Sequence, residues 1–378
     1  MSPLAVALAG LAALASGMGI GRFAFTPILP MMQADGALTL EAGGWLAAAN
    51  YAGYLAGALT AAFLSSATAI RAGLFGVALF TLLMGFVDSL LVWTLLRGFA
   101  GVASAWLLVH VSAWCLERLA PLGRPALNGT VYAGVGAGSV VAGLVCLVLL
   151  QFEVEARHAW IALGLFALVF GVLLAPVFTA HKAERRSDRS RLDAHAWRLI
   201  ACYGAFGFGY IIPATFIPAF ARETLADPLR YGWAWPMFGL AAAASTLAVA
   251  PLVRRLGDRG VWIAGHVVMA AGVAAPLAFA GMAGIALSAL AVGATFMVVT
   301  MTGLQAGRAL GGAALLAPMT AAFAAGQIAG PAFVSLVLAA GGRLEHALAS
   351  ASLLLLLSAF ALLIGGRPRD RSHATAQS

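Results

Sequence analysis

Apolar runs long enough to cross a bilayer recur along the whole chain. They lie near residues 4–32, 42–64, 70–87, 90–115, 126–150 and 158–179, then 196–221, 230–253, 260–280, 283–304, 310–340 and 344–364. A transmembrane helix needs about 20 consecutive apolar residues. With 378 residues, each span and its connection has roughly 31, so twelve helices fit only with short loops, which limits any folded domain outside the membrane. The composition is 62% apolar and 10% charged, against about half and one quarter in an average globular chain, and argues against a soluble enzyme, a disordered chain or a disulfide scaffold. The runs are continuous stretches of Ala, Leu, Val and Gly rather than the short alternating segments of a membrane barrel. The expectation is an all-α membrane protein with twelve transmembrane helices. Ala13-Leu14-Ala15 looks like a leader cleavage site, but no basic residue precedes it and the run continues to Met32, so this segment reads as the first span.

Basic residues set the expected orientation. With a cytoplasmic N-terminus, sixteen of them fall on the inner side: Arg71, Arg118, Arg124, Lys182, Arg185, Arg186, Arg189, Arg191, Arg198, Arg254, Arg255, Arg259, Arg308, Arg367, Arg369 and Arg371. Four, Arg157, Arg222, Arg230 and Arg343, fall outside. This bias follows the positive-inside rule and places both termini in the cytoplasm. The net charge of +8 is then explained by topology and anionic lipid, without nucleic acid as a partner. The one conspicuously polar stretch carries both signs and sits midway along the chain, as a solvated linker would.

The two sides of that linker repeat one another. Gly19, Gly21 and Pro30 have the spacing of Gly207, Gly209 and Pro218 at an offset of 188, which also carries Arg71 onto Arg259. Gly134 and Gly138 match Gly326 and Gly330 at an offset of 192. Small residues four apart also let helices approach closely, whatever their origin. The expected division is a six-helix half at 1–180, a basic cytoplasmic linker at 181–195, a second six-helix half at 196–364 and a cytoplasmic tail at 365–378. Gly134-Val135-Gly136-Ala137-Gly138-Ser139 is not a phosphate loop, because no strand precedes it.

The layout, together with Gly19-Ile20-Gly21-Arg22-Phe23-Ala24-Phe25-Thr26-Pro27-Ile28-Leu29-Pro30, Ala49-Asn50-Tyr51-Ala52-Gly53-Tyr54-Leu55-Ala56-Gly57 and Gly207-Phe208-Gly209-Tyr210-Ile211-Ile212-Pro213-Ala214-Thr215-Phe216-Ile217-Pro218, resembles the YbfB/YjiJ-type branch of the major facilitator superfamily. That resemblance implies a secondary transporter of the bacterial cytoplasmic (inner) membrane, a monomer that rocks two halves about a central cavity. It implies that Arg97, with Gly101 four residues on, belongs to a span-four motif associated with proton coupling. Gly326, Gly330 and Pro331 look like the Gly-Pro motif that bends an antiporter helix. Asp258 and Arg259 look like the cytoplasmic gating loop, whose first-half counterpart keeps only Arg71.

The residues themselves point to a central site. Arg22 lies near the middle of the first span, and an intramembrane arginine costs at least about 2.5 kcal/mol on insertion scales, so it has a partner or faces a wet cavity. All fourteen acidic residues fall in loops or at helix ends. Arg22 therefore either bonds to carbonyls freed by Pro27 and Pro30, or to an edge carboxylate, or meets a solute. Phe25, Thr26, Asn50, Tyr51, Tyr54, Tyr210 and Thr215 are the candidate companions for substrate binding, or are polar groups joining helices. His110 and His266 can carry protons near neutral pH, or pack. Cys115, Cys146 and Cys202 have no metal-ligand spacing, and no catalytic triad, metal cluster or paired acid is visible. The expected function is ion-linked, proton-coupled transport of a small organic solute, an organic anion on the evidence of Arg22. The alternatives are efflux of neutral or cationic amphipathic compounds, and a membrane sensor or embedded enzyme on the same scaffold. No cofactor is expected.

Overall fold

A computed structural model describes residues 1–124, 127–178, 193–225 and 227–364. The expected tail at 365–378, and the linker at 181–195 up to residue 192, lie outside these. Among the described residues the chain is helical, without a strand: α1 Pro3–Leu14, a π-helical turn Ala15–Ile20, α2 Phe25–Ala34, α3 Leu40–Thr60, α4 Ser66–Leu83, α5 Leu90–Leu119, α6 Asn128–Gln151, α7 Ala156–Leu174, α8 Ala194–Thr224, α9 Pro228–Gly232, α10 Ala234–Ala278, α11 Met282–Ala339 and α12 Leu344–Ile364.

Helix starts follow local chemistry. Ser2, Thr39, Ser65 and Asp193 are N-caps whose side chains accept from the amides of Ala5, Ala42, Thr68 and Ala196. The start of α7 is served from elsewhere in the chain, by Asp35, whose carboxylate accepts from Ala156 N–H at 2.7 Å.

Ten described helices are long and apolar enough to cross a membrane, two fewer than the expected twelve. The difference arises in two places. Helix α3 spans 21 residues, but Glu41, Asn50, Tyr51, Tyr54 and its glycines and terminal threonine lower its hydropathy, and it is not among the ten. Residues 228–278 form one stretch where the sequence predicted two spans, and that stretch breaks at Gly257 (φ 70°, ψ 165°). A comparable break at Gly311 and Gly312 divides α11, the latter at φ 60°. These positive φ values suit glycine, which has no Cβ to clash. The Gly257 break falls in the connection expected between 253 and 260, whereas the break at Gly311 and Gly312 falls just inside the span expected at 310–340.

Helices α1 to α7 meet α8 to α12 where α2 packs on α8, α3 on α11, and α6 on α9 and α10. Close approach within the first group depends on missing side chains. A Cβ on Gly53 would strike the Gly98 carbonyl and one on Gly101 the Asn50 carbonyl, so α3 and α5 are in backbone contact. Leu59, Phe63, Leu91, Leu173, Leu353 and Phe360 are exposed on the outside, a surface suited to lipid.

Two clefts open at one end of the molecule. One of about 350 Å³ is lined by Met32, Asp88, Trp93, Glu155 and Arg157, and one of about 640 Å³ by Phe220, Pro276, Gly281, Arg343 and Glu345. Taken in order, the two sets differ by 188 in number. The Glu155–Arg157 ion pair of the first (3.0 Å) becomes Arg343–Glu345 in the second (2.6 Å), with the signs exchanged.

Candidate functional site

The first span is interrupted just before Arg22. Gly21 N–H donates to Ser16 at 2.9 Å and Phe23 N–H to Met18 at 3.0 Å, both five residues back rather than four. Such π turns are rare and cluster at functional positions. Gly19 presses this turn onto the Gly138 backbone of α6, leaving no room for a side chain.

The loosened turn turns two carbonyls toward Arg97. Its Nη1 donates to Gly21 at 3.2 Å and its Nη2 to Arg22 O at 2.9 Å, while the guanidinium lies 5.2 Å from the Phe25 ring and 5.7 Å from Trp160. Arg97 is thus held by two backbone dipoles and two ring faces inside the first helical group. Asn50 belongs to the same assembly, donating to the Arg97 carbonyl at 2.8 Å. The bonding to freed carbonyls that the sequence left open for Arg22 is made by Arg97 instead.

Arg22 has different surroundings. It is 2% exposed, and its guanidinium sits 4.4 Å from the Tyr54 ring, 4.8 Å from Tyr51 and 5.2 Å from Phe23. Its Nη2 donates to Tyr210 Oη at 3.4 Å, and its Nε has no partner. Among the described residues no carboxylate meets it, since Asp88, Glu155, Asp227 and Glu345 pair with arginines at exposed helix ends. Ring faces attract a cation, but they do not saturate a guanidinium with five N–H donors.

Tyr210 Oη also receives a hydrogen bond from Gln327 Nε2. With two donations arriving at the oxygen, the phenolic proton points away from both donors, and Gln327 Oε1 is unpartnered as well. The amide orientation is assigned from the network. Turned over, it would accept the phenolic proton and leave its own two N–H groups unspent. In the first orientation Arg22 and Tyr210 leave donors unused in a buried place, and in the second Arg22 and Gln327 do. Two further contacts join the helices here: Tyr51 Oη with Thr215 Oγ1 at 3.2 Å, and Thr26 Oγ1 donating to Ala214 O at 2.9 Å.

Aromatic rings back the cluster. Tyr210 lies nearly parallel to Phe296 (10°, 5.6 Å) and Phe323 (4°, 5.7 Å). Phe23 crosses the seam to meet Phe296 edge-on at 5.9 Å and Trp235 at 6.0 Å.

The structure therefore brings Arg22, Thr26, Tyr51, Tyr54, Tyr210 and Thr215 together, and turns Phe25 and Asn50 toward Arg97. His110 sits at the far end of α5 against Ala61 O (3.0 Å) and Ser66 Oγ (3.4 Å). His266 Nε2 accepts from the Trp262 indole at 3.0 Å, which places its proton on the unpartnered Nδ1, beside Phe206. Asp258 follows the Gly257 break, and Arg259 donates to Leu362 O in the last turn of α12. Gly326 and Gly330 admit α8 against α11, and the Pro331 carbonyl approaches Gly44 of α3. Sequence reasoning missed Gln327, Phe23, Phe296 and Phe323. Gln327 had a signal, a lone amide in an apolar run, inside a motif read only for its glycines. Among the described residues no group of three or more His, Cys, Asp or Glu is placed to hold a metal ion.

A family profile described as "Uncharacterised MFS-type transporter YbfB" matches residues 14–363. No curated protein sequence matches the chain. Among solved structures, a mutant form of the nucleoside transporter NupG is similar with a TM-score of 0.75 at 15% identity, covering 96% of this chain and 100% of that one. A second NupG structure gives 0.69 at 14% identity, covering 97% and 99%. At these identities the likeness is one of fold. An all-helical membrane fold, a buried polar cluster on the seam between two helical groups and a profile match over nearly the whole length converge on one conclusion: this chain belongs to the YbfB-type family of MFS transporters and is a membrane transporter of a small solute.

Proposed function

We propose that the protein is a secondary active transporter of a small organic anion, working by alternating access around Arg22. The observation that carries this reading is a guanidinium, 2% exposed, with no carboxylate partner among the described residues and with Tyr210 across the seam. A buried charge without a counter-ion is expensive, and a carboxylate offered by the solute supplies the missing partner in a geometry the planar fork matches. Because the cluster is shared between α2–α3 and α8–α11, separating these groups opens it and closing them encloses whatever it holds.

Twelve spans in two six-helix halves suit this mechanism. The reading is supported by the breaks at Gly257 and Gly312, and by contacts between positions 188 apart, Arg22 with Tyr210 and Thr26 with Ala214. The two clefts with exchanged charges carry the same offset. Both termini face the cytoplasm of a bacterial inner membrane, and the monomer is the working unit. Reporters active only in the cytoplasm, fused after Arg191 and after Gly366, are expected to be active at both points; export of either would overturn the topology.

Coupling to protons, with no buried mid-helix carboxylate among the described residues, involves His110 or His266 or the ionisation of the solute itself. The functional test is uptake into proteoliposomes of monocarboxylates, neutral amides and quaternary amines across a range of pH. Carboxylate uptake that responds to a pH gradient is expected, with the pH profile altered when both histidines are replaced by Gln. Uptake of amines or amides alone would select efflux of neutral or cationic compounds instead. An unchanged profile in the double variant would leave the histidines as packing residues.

A further inference from the structure

We infer that the anion is aromatic, a planar ring bearing a carboxylate, with Gln327 and Phe296 as the residues that select it. This rests on the anion reading above and narrows it.

The closed seam indicates what a solute must replace. When the two helical groups part, Arg22 loses the Tyr210 oxygen, and Phe296 and Trp235 lose the Phe23 ring. An acidic oxygen and a flat apolar face are needed together, and within one ring's reach, because Arg22 and Phe23 are adjacent in sequence. The protein already offers such a group. Tyr210 is a phenol whose oxygen takes hydrogen bonds from Arg22 and Gln327 while its ring lies parallel to Phe296 and Phe323. An aromatic carboxylate reproduces that arrangement with a formal charge in place of a neutral oxygen. It has enough acceptor capacity for the spare donors of Arg22 and either of Tyr210 or, with its amide turned to accept the phenolic proton, of Gln327.

Ring geometry supports the choice. The slab runs from Trp235 and Phe238 through Phe296 and Tyr210 to Phe323 and Phe206, its neighbours stacked or tilted at 4.5–5.7 Å between centroids. Offset-stacked contacts favour a planar ring over a puckered one of similar size. A site built for an aliphatic acid would gain nothing from this arrangement over leucine and valine.

The test compares three probes on the purified full-length protein by calorimetry: benzoate, cyclohexanecarboxylate, and the neutral benzamide. Benzoate is expected to bind about tenfold more tightly than cyclohexanecarboxylate, the upper range of one aromatic pair, and benzamide not measurably. Phe296→Leu should bring the two acids to similar affinity by weakening benzoate alone, and Gln327→Leu should weaken both. Equal affinities for the two acids in the wild type would overturn the aromatic assignment while leaving the anion reading intact. Benzamide binding as tightly as benzoate would overturn both. Because the three-probe comparison uses the wild type, a variant that fails to fold does not spare the proposal.

Discussion

Arg22→Gln is expected to weaken binding of the transported anion by about tenfold to a hundredfold while raising the thermal stability of the empty protein. The loss of affinity corresponds to removing hydrogen bonds made to charged groups, about 1.5–3 kcal/mol each. The gain in stability has a separate origin. The guanidinium donates to Tyr210 at 3.4 Å and faces three rings, with no carboxylate partner among the described residues, so much of its desolvation is uncompensated. A neutral amide of similar reach removes that cost. Opposite effects on function and stability are typical where a binding site is strained in the absence of its ligand. Arg22→Lys keeps the charge but not the planar fork, and should fall between the two in affinity without the stability gain. The measurements are thermal unfolding without ligand and anion binding at equal protein concentration. Retention of wild-type affinity by Arg22→Gln would mean that the arginine serves the scaffold alone.

Arg97→Gln is expected to act on folding, costing about 3–6 kcal/mol as two hydrogen bonds from a charged donor are lost. Arg97 covers the Gly21 and Arg22 carbonyls that the π turn releases, and inside a bilayer no water stands ready to replace it. Glutamine is too short to reach both oxygens. The variant should show a lowered unfolding temperature and reduced accumulation in the membrane, and its surviving fraction should bind anion with near-normal affinity. A variant of normal stability that has lost the pH dependence of transport would assign Arg97 to coupling instead. Two buried arginines on neighbouring spans thus separate, one expected to matter for the ligand and the other for the turn that presents it.

Much of the architecture was legible without coordinates. The apolar runs that define α4, α5, α6, α7 and α12 stand out because each segment must by itself be apolar enough for lipid. The break at Gly257 was readable as a polar interruption, whereas that at Gly312 lies inside the span expected at 310–340. Other features were not. Arg22 and Arg97 look alike as isolated basic residues in apolar sequence, and nothing local distinguishes a guanidinium that caps carbonyls from one that faces a neighbouring helix. Phe25 and Asn50 share stretches with Thr26 and Tyr51, yet they turn to Arg97 because the π turn and the helix register set their direction.

The sequence by itself determined the all-helical membrane fold, the positions of most spans and the presence of an arginine in a span without a mid-membrane acid, because backbone satisfaction in lipid and the cost of charge act on each segment separately. Only the tertiary structure decided that Tyr210 meets both Arg22 and Gln327 while the Gly21 and Arg22 carbonyls go to Arg97. Those pairings join residues that lie 75 to 188 apart in the chain. They depend on how far one irregular turn rotates α2 against α5 and α8, a packing outcome to which every helix contributes and which no single stretch of sequence encodes.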